Sequence, residues 1–476
     1  MKIRKAAPFE GKPVFHLPTR YGICTGKETL LRIAVTGERP IGVTVSGLPD
    51  GLTLSGNTVR GSTAVEGDHP VTVRAENALG AAEHKMTLCV HEDTVLLTPL
   101  MGFCSWNAFR STVSQEKIEH TAKTMVESGL ADYGYCYVNI DSGWQKEYGG
   151  EFDAVMPNDK FPDMGALCAY IHGLGLKCGI YSTPMLTAWG CPAEFKSVPG
   201  CTRGEPDILF ACTNGGIGKE HLELNNVRQW EKWGFDYLKY DWIPSEPINA
   251  ELMKKALRQS GREMAYCVTF LADRTYREYW KRNVNAWRDN YDSTDSWEGF
   301  HGLRRYLEPK GLTSIEDWRG VVSPGHFYDL DMLEIGPMFS NNGKTGLTPN
   351  ETVFAYTLRA FFLSPIQLSC VLEEIGELER DVFCNEDMIR IHQDSLADYP
   401  VLVSRANGLH IFARALENGD TAYAVFNTED RAQKFELGVR GERFRELWTG
   451  KTGVILHKLA DEIEAHCALV YRVSAE

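Results

Sequence analysis

No two of the thirteen cysteines stand in a Cys-x-x-Cys spacing, and their number is odd. This excludes the common zinc motifs and a dense disulfide framework. It predicts free, mostly buried thiols in a reducing compartment. No run of about 18 apolar residues occurs, so no transmembrane helix is expected. The N-terminal stretch MKIRKAAPFEGKPVFHL is basic but lacks the apolar core of a signal peptide. A chain that starts at its natural Met is therefore expected in the cytoplasm; one that had lost a leader would be secreted and read the same. Positive charge is in deficit, 50 Lys and Arg against 64 Asp and Glu for a net −14, which argues against nucleic acid and anionic membrane as partners. Gly-rich phosphate cradles and a G-x-S-x-G elbow are also missing, removing nucleotide-dependent and serine-hydrolase chemistry.

What is present is enough chain for two or three domains, 476 residues with 43% hydrophobic and 24% charged, the balance of a soluble globular protein. Residues 31–90 alternate short Val/Thr-rich runs with the turns GLPDG, SGN and EGDHP. That pattern predicts an N-terminal immunoglobulin-like β module within residues 1–95, a packing domain without chemistry of its own. From residue 96 to 398, eight apolar runs alternate with amphipathic stretches such as 114–129 and 219–234. The runs are LLTPLMGFCSW, CYVNID, LKCGIY, YLKYDW, MAYCVTF, VNAWRDN, HFYDLDML and SPIQLSC, the count of a (β/α)8 TIM barrel. Residues 399–476 return to short alternating strands and predict a C-terminal antiparallel β-sandwich.

In such a barrel the C-terminal ends of the strands carry the active site. The predicted ends gather Trp106; Asp141 and Trp144; Tyr181; Lys239 and Asp241; Arg288 with Asp292 and Asp295 beyond it; and Asp329 with Asp331. One Asp there is as readily a helix cap, but four strand ends with Asp among aromatic rings are harder to read as caps. Lys239 and Asp241 are two apart in a strand-like run and so share a face, where burial is costly unless the charges are paired or solvated. Of the thirteen histidines only His326 stands near a predicted strand end, so no metal is expected, and no cofactor. Carboxylates with aromatic platforms suit cleavage of a glycosidic bond, in which two acids flank the bond and rings pack on the sugar. The expected partner is a carbohydrate, with homo-oligomerisation left open.

The ordered motifs MGFCSWNAF, YVNIDSGWQ, KCGIYS, YLKYDW, WRDNYDSTDSW, YDLDMLEIG and NEDMIRIHQD, with RELWTGK beyond them, resemble the α-galactosidases of glycoside hydrolase family 27. The resemblance implies a retaining, exo-acting α-glycosidase, with Asp241 as nucleophile and Asp292 as acid/base. It places Trp106, Asp141, Ser142, Tyr181, Lys239, Thr269, Ala272, Arg288 and Asp331 around the sugar, with Lys239 expected to keep Asp241 ionised. Five positions depart from the family pattern. Ser142 replaces a second aspartate, and Thr269 and Ala272 replace the residues that crowd the sugar's 2-hydroxyl. Phe103 replaces a tryptophan, and Ile243 replaces a disulfide cysteine. Small residues at 269 and 272 are also found in α-N-acetylgalactosaminidases, so that activity, or an α-glycosidase with a non-galactose glycone, stays open. Two further readings stay open on the residues alone: a catalytically dead carbohydrate-binding barrel, and a Schiff-base enzyme using Lys239.

Overall fold

The computed structural model describes residues 1–185, 202–208, 217–242, 245–308 and 315–474. Its centre is a ring of eight parallel strands: β1 (Met101–Cys104), β2 (Tyr137–Ile140), β3 (Lys177–Ser182), β4 (Tyr237–Asp241), β5 (Ala265–Thr269), β6 (Ala286–Trp287), β7 (Phe327–Tyr328) and β8 (Ile366–Leu368). They pair in the order β7-β6-β5-β4-β3-β2-β1-β8. Leu333, just past β7, bridges Leu368 in parallel and closes the ring. All eight apolar runs are therefore strands. β6 and β7 are only two residues long because the chain then leaves the ladder to make side-chain bonds. Tyr328 Oη donates to Asp289 Oδ1 at 2.5 Å and Asn290 Nδ2 to the Asp329 carbonyl at 3.3 Å.

Local signals set the helices that wrap the ring. In α1 (Gln115–Glu127), Ser114 Oγ accepts from Lys117 N at 3.4 Å, and Ile118, Ala122 and Met125 form the buried stripe. The helix expected over 219–234 is shorter, α2 (Glu223–Trp233), because Ile217–His221 pairs as a strand with Thr202–Ile208. It stops at Gly234, whose φ of 102° is costly for any other residue. α3 (Pro349–Phe361) opens on a Thr348/Glu351 capping box with Pro349 in its first turn, and is buried along most of its length.

Two β domains flank the barrel. In the N-terminal one, the sheet Arg20–Cys24, Gly80–His91, Gly67–Asn77 and Gly42–Ser46 faces the sheet Thr29–Arg32, Thr58–Gly61 and Leu52–Ser55. Ile23, Leu31, Ile33, Val59, Val73 and Leu88 fill the space between. The C-terminal domain has a six-stranded antiparallel sheet built on Val401–Ala406, Leu409–Ala415, Thr421–Asn427, Ala468–Ser474, Arg443–Glu446 and Thr452–Val454. Gln433–Leu437 and Leu459–Ile463 form a second pair. Trp448, in RELWTGK, donates Nε1 to Thr357 Oγ1 of α3 at 3.0 Å and ties this domain to the barrel. The first residues of the chain depart from the N-terminal module: Arg4 pairs with Asp387 at 2.8 Å and bonds the Trp448 carbonyl at 2.9 Å.

The N-terminal domain packs against the strand starts, the end of the barrel opposite the charged strand ends. Glu263, just before β5, accepts from Cys24 N at 2.9 Å and Thr29 Oγ1 at 2.7 Å. Its other contact is Lys177 Nζ at 3.4 Å, which also reaches the hydroxyls of Tyr21 and Tyr137. Both ions are almost fully buried, so each depends on the other and on these hydroxyls for solvation lost on folding. His326 lies at this end too. It precedes β7 and its Nδ1 donates to the Val284 carbonyl at 2.7 Å, so it is remote from the strand ends where a metal ligand was sought. The ten described cysteines are free thiols, and Ile243 lies outside the described residues. Removing Glu263 leaves Lys177 buried without its counter-ion. Glu263→Ala is expected to lower unfolding free energy by about 3–5 kcal/mol, measured by urea denaturation; a loss below about 1 kcal/mol would show that the pair does not hold the junction.

Candidate active site

At the other end of the ring, residues at the C-terminal ends of β1 to β7 converge on a cavity of about 230 Å³. Its walls are Trp106, Arg110, Asp141, Tyr181, Lys239, Asp241, Phe270, Arg288, Asp292 and Met332. Each is delivered by the end of a barrel strand. β1 runs into the short helix Ser105–Phe109, which carries Trp106, and Arg110 follows with φ 49° and its guanidinium 4.8 Å from the Trp106 ring centroid. β2 delivers Asp141, whose backbone N–H donates to Ser105 Oγ at 2.9 Å. β4 projects Lys239 and Asp241 to the same face, as their spacing requires. β6 and β7 supply Arg288 and, behind it, Asp331, held at φ 73°.

The charges form two buried pairs. Lys239 Nζ donates to Asp141 Oδ2 at 2.7 Å, with Cys104 Sγ on the same oxygen at 3.2 Å. Arg288 sits 2.5 Å from Asp331 Oδ2 through Nη1 and donates to Asp292 Oδ1 at 2.8 Å through Nη2. Burial would raise the Asp331 pKa, but Arg288, Lys239 and the Ser293 N–H hold it below the usual carboxylate range. Asp329, buried and beside Asp331, is pushed up to about 6.

Asp241 is left over by this pairing. Its Oδ2 accepts from Tyr181 Oη at 3.0 Å. Burial, reinforced by Asp292 and Asp141, raises its pKa to about 7 against the opposing pull of Lys239 and Arg288. The expectation that Lys239 keeps Asp241 ionised is thus corrected. The ammonium spends its direct contact on Asp141, and burial outweighs what remains.

Seven of the eleven residues singled out from the sequence meet in the cavity: Trp106, Asp141, Tyr181, Lys239, Asp241, Arg288 and Asp292. The other four stand outside its walls. Ser142 and Thr269 are buried at the ends of β2 and β5; Ala272 is buried with its N–H on the Arg288 carbonyl at 2.9 Å; and Asp331 pairs with Arg288. Asp295 supports a loop, accepting from Asn341 Nδ2 at 3.0 Å and Gly346 N at 2.8 Å. Arg110, Phe270 and Met332 were not singled out; Arg110 directly follows MGFCSWNAF, and Phe270 and Met332 lie within MAYCVTF and YDLDMLEIG. Among the described residues, no group of three or more His, Cys, Asp or Glu is placed to hold a metal ion.

The model of the alpha galactosidase A family matches residues 98–200 and 211–394, and that of the alpha galactosidase C-terminal beta sandwich domain matches 406–473. The chain belongs to the alpha-galactosidase A family. The alpha-galactosidase A of Cellvibrio japonicus is 28% identical over 404 residues, covering 79% of this chain and 92% of that protein. Among solved structures, alpha-galactosidase I from Mortierella vinacea superposes with a TM-score of 0.67 at 25% identity, over 80% of this chain and 98% of its own. A Bacteroides fragilis protein solved as a candidate alpha-galactosidase/melibiase superposes with a TM-score of 0.86 at 27% identity, over 98% of this chain and 99% of its own, so its likeness extends through the N-terminal domain. The chain is a glycosyl hydrolase of the alpha-galactosidase type.

In this alpha-galactosidase-type site the unpaired carboxyl of Asp241 has a consequence for stability. A group whose pKa rises on folding holds a proton that the unfolded chain releases. Stability therefore falls as pH rises from about 4 towards 7, and the whole penalty is present above that. Asp241→Asn removes the penalty. Its melting temperature is expected to exceed that of the wild type by a few degrees at pH 8, with the gain shrinking towards pH 4.5. Thermal unfolding of both proteins across this range tests the assignment, and a pH-independent difference would contradict it.

Proposed function

We propose that the protein is a retaining, exo-acting α-galactosidase working by double displacement, with Asp241 as nucleophile and Asp292 as acid/base. The observation that carries this reading is the unequal setting of the two acids. Asp241 is on the cavity wall, braced by Tyr181 Oη and without a direct cation among the described residues. Asp292 is at the rim, 66% exposed and tethered by Arg288. In the first step an Asp241 oxygen attacks the anomeric carbon as the bond to the leaving oxygen breaks, and Asp292 gives that oxygen its proton. In the second, Asp292 takes a proton from water, the water oxygen bonds the anomeric carbon, and the ester to Asp241 breaks. Charge on Asp241 is disfavoured in the empty site, so forming the neutral ester relieves an electrostatic cost. Lys239, Asp141 and Arg288 present charged donors and acceptors to sugar hydroxyls, and Trp106 an aromatic face.

Galactose is the glycone that the family membership and the curated relatives favour. Asp241→Ala is expected to lower kcat on nitrophenyl α-D-galactoside by several orders of magnitude, and added azide to restore part of it as β-galactosyl azide. A variant with near wild-type turnover would remove Asp241 from the chemistry. Asp292→Asn is expected to slow melibiose far more than nitrophenyl α-D-galactoside, whose leaving group needs no proton. Equal losses on both would exclude Asp292 as the acid. Proton NMR of early product should show the α-anomer first, and β-galactose first would rule out retention.

A further inference from the structure

We propose that an aromatic ledge built on Tyr291 and Phe300 binds the ring of the leaving group, and that this ring is a second pyranose. The inference rests on Asp292 being the acid that protonates the leaving oxygen, since that places the departing group at the Asp292 rim.

The ledge begins inside the cavity and ends in solvent. Phe270 lines the cavity, with the Arg288 guanidinium 4.9 Å from its centroid. Tyr291 packs edge-on to Phe270 with centroids 5.3 Å apart, and Phe300 packs on Tyr291 at 4.9 Å. Phe300 is 56% exposed, among the more exposed large apolar side chains of the protein. A phenylalanine in solvent gains nothing for folding, yet this one is held in place from behind. Arg305 donates Nη1 to the Phe300 carbonyl at 2.6 Å and Nη2 to the Tyr291 carbonyl at 2.9 Å, stapling the two ends of the loop together. His301 donates Nδ1 to the Asp292 carbonyl at 2.6 Å and packs edge-on to Phe300 at 5.0 Å. The acid and the exposed ring are therefore parts of one braced loop, and braced aromatic surface lowers the ordering cost of binding.

Cavity size separates the two rings of a disaccharide. At about 230 Å³ the cavity falls below the ~300–1,000 Å³ typical of drug-sized ligand sites, so it takes one sugar ring. A second ring must lie outside, past Asp292, where the ledge presents ring faces to the C–H face of a pyranose.

The test compares two substrates that both depart as alkoxides needing a proton, melibiose with an aglycone ring and methyl α-D-galactoside without one. Phe300→Ala is expected to lower the ratio of kcat/KM for melibiose to that for methyl α-D-galactoside about tenfold, with most of the change in KM, and Phe300→Trp to preserve the ratio. An equal fall on both substrates would mean that the ledge only positions Asp292, and an unchanged ratio with no fall would mean that it contacts no aglycone; either overturns the proposal alone. Wild-type protein that cleaves nitrophenyl and methyl α-D-galactosides but not melibiose would overturn the pyranose assignment. Wild-type protein that cleaves none of the three would overturn the functional reading on which the ledge depends.

Discussion

Carboxylates outnumber cations where the strands end, and the site is organised by which of them goes unpaired. Lys239 and Arg288 are buried among Asp141, Asp241, Asp292 and Asp331. Asp141 and Asp331 take the close contacts, and Asp292 escapes to solvent while keeping one bond to Arg288. Asp241 lines the cavity and, among the described residues, has the Tyr181 hydroxyl as its direct partner. A buried ion pair is stable only when its partners are fixed and its remaining valences filled. On the carboxylate side of the two pairs, backbone N–H groups of Ser142 and Ser293 donate to Asp141 and Asp331. Because both cations are engaged in these pairs, burial outweighs their pull on Asp241 and raises its pKa.

The same physics recurs at the far end of the barrel with the opposite outcome. Lys177 and Glu263 are also buried charges at strand ends, but the N-terminal domain closes over them and supplies Cys24 N, Thr29 Oγ1 and Tyr21 Oη. These direct partners all come from the protein. One end of the ring is thus the junction with the N-terminal domain, and the other opens on the cavity that Asp241 lines. The C-terminal domain is held on the barrel's flank by Trp448 on α3 and by Arg4 and Arg445 on Asp387.

The barrel was legible in the sequence because each strand is a short apolar run bounded by turn residues, and eight of them alternating with amphipathic helices leave few other architectures. Less legible were the ends of elements. The run over 219–234 has helical periodicity throughout, yet its first residues pair as a strand, since a partner distant in sequence overrode local preference. The attachment of the first residues to the C-terminal domain also had no local signal. Arg4 is an ordinary surface residue until the fold brings Asp387 and the Trp448 carbonyl to it.

By itself the sequence determined which chemistry is present: aspartates and aromatics at the ends of strands, Lys239 and Asp241 on one face, and the order of motifs that marks the family. Only the tertiary structure decided how those charges pair. Asp141 and Lys239 lie 98 positions apart and Arg288 and Asp331 lie 43 apart, and no local spacing encodes such contacts. The neighbour in sequence, Lys239, looked like the partner of Asp241, but the partner in space is Tyr181. The aromatic ledge was likewise invisible, because Phe270, Tyr291 and Phe300 become one surface only when β5 and the loop after β6 are packed side by side. Burial and distance fix the strength of a charge or a ring contact, and both are properties of the folded chain.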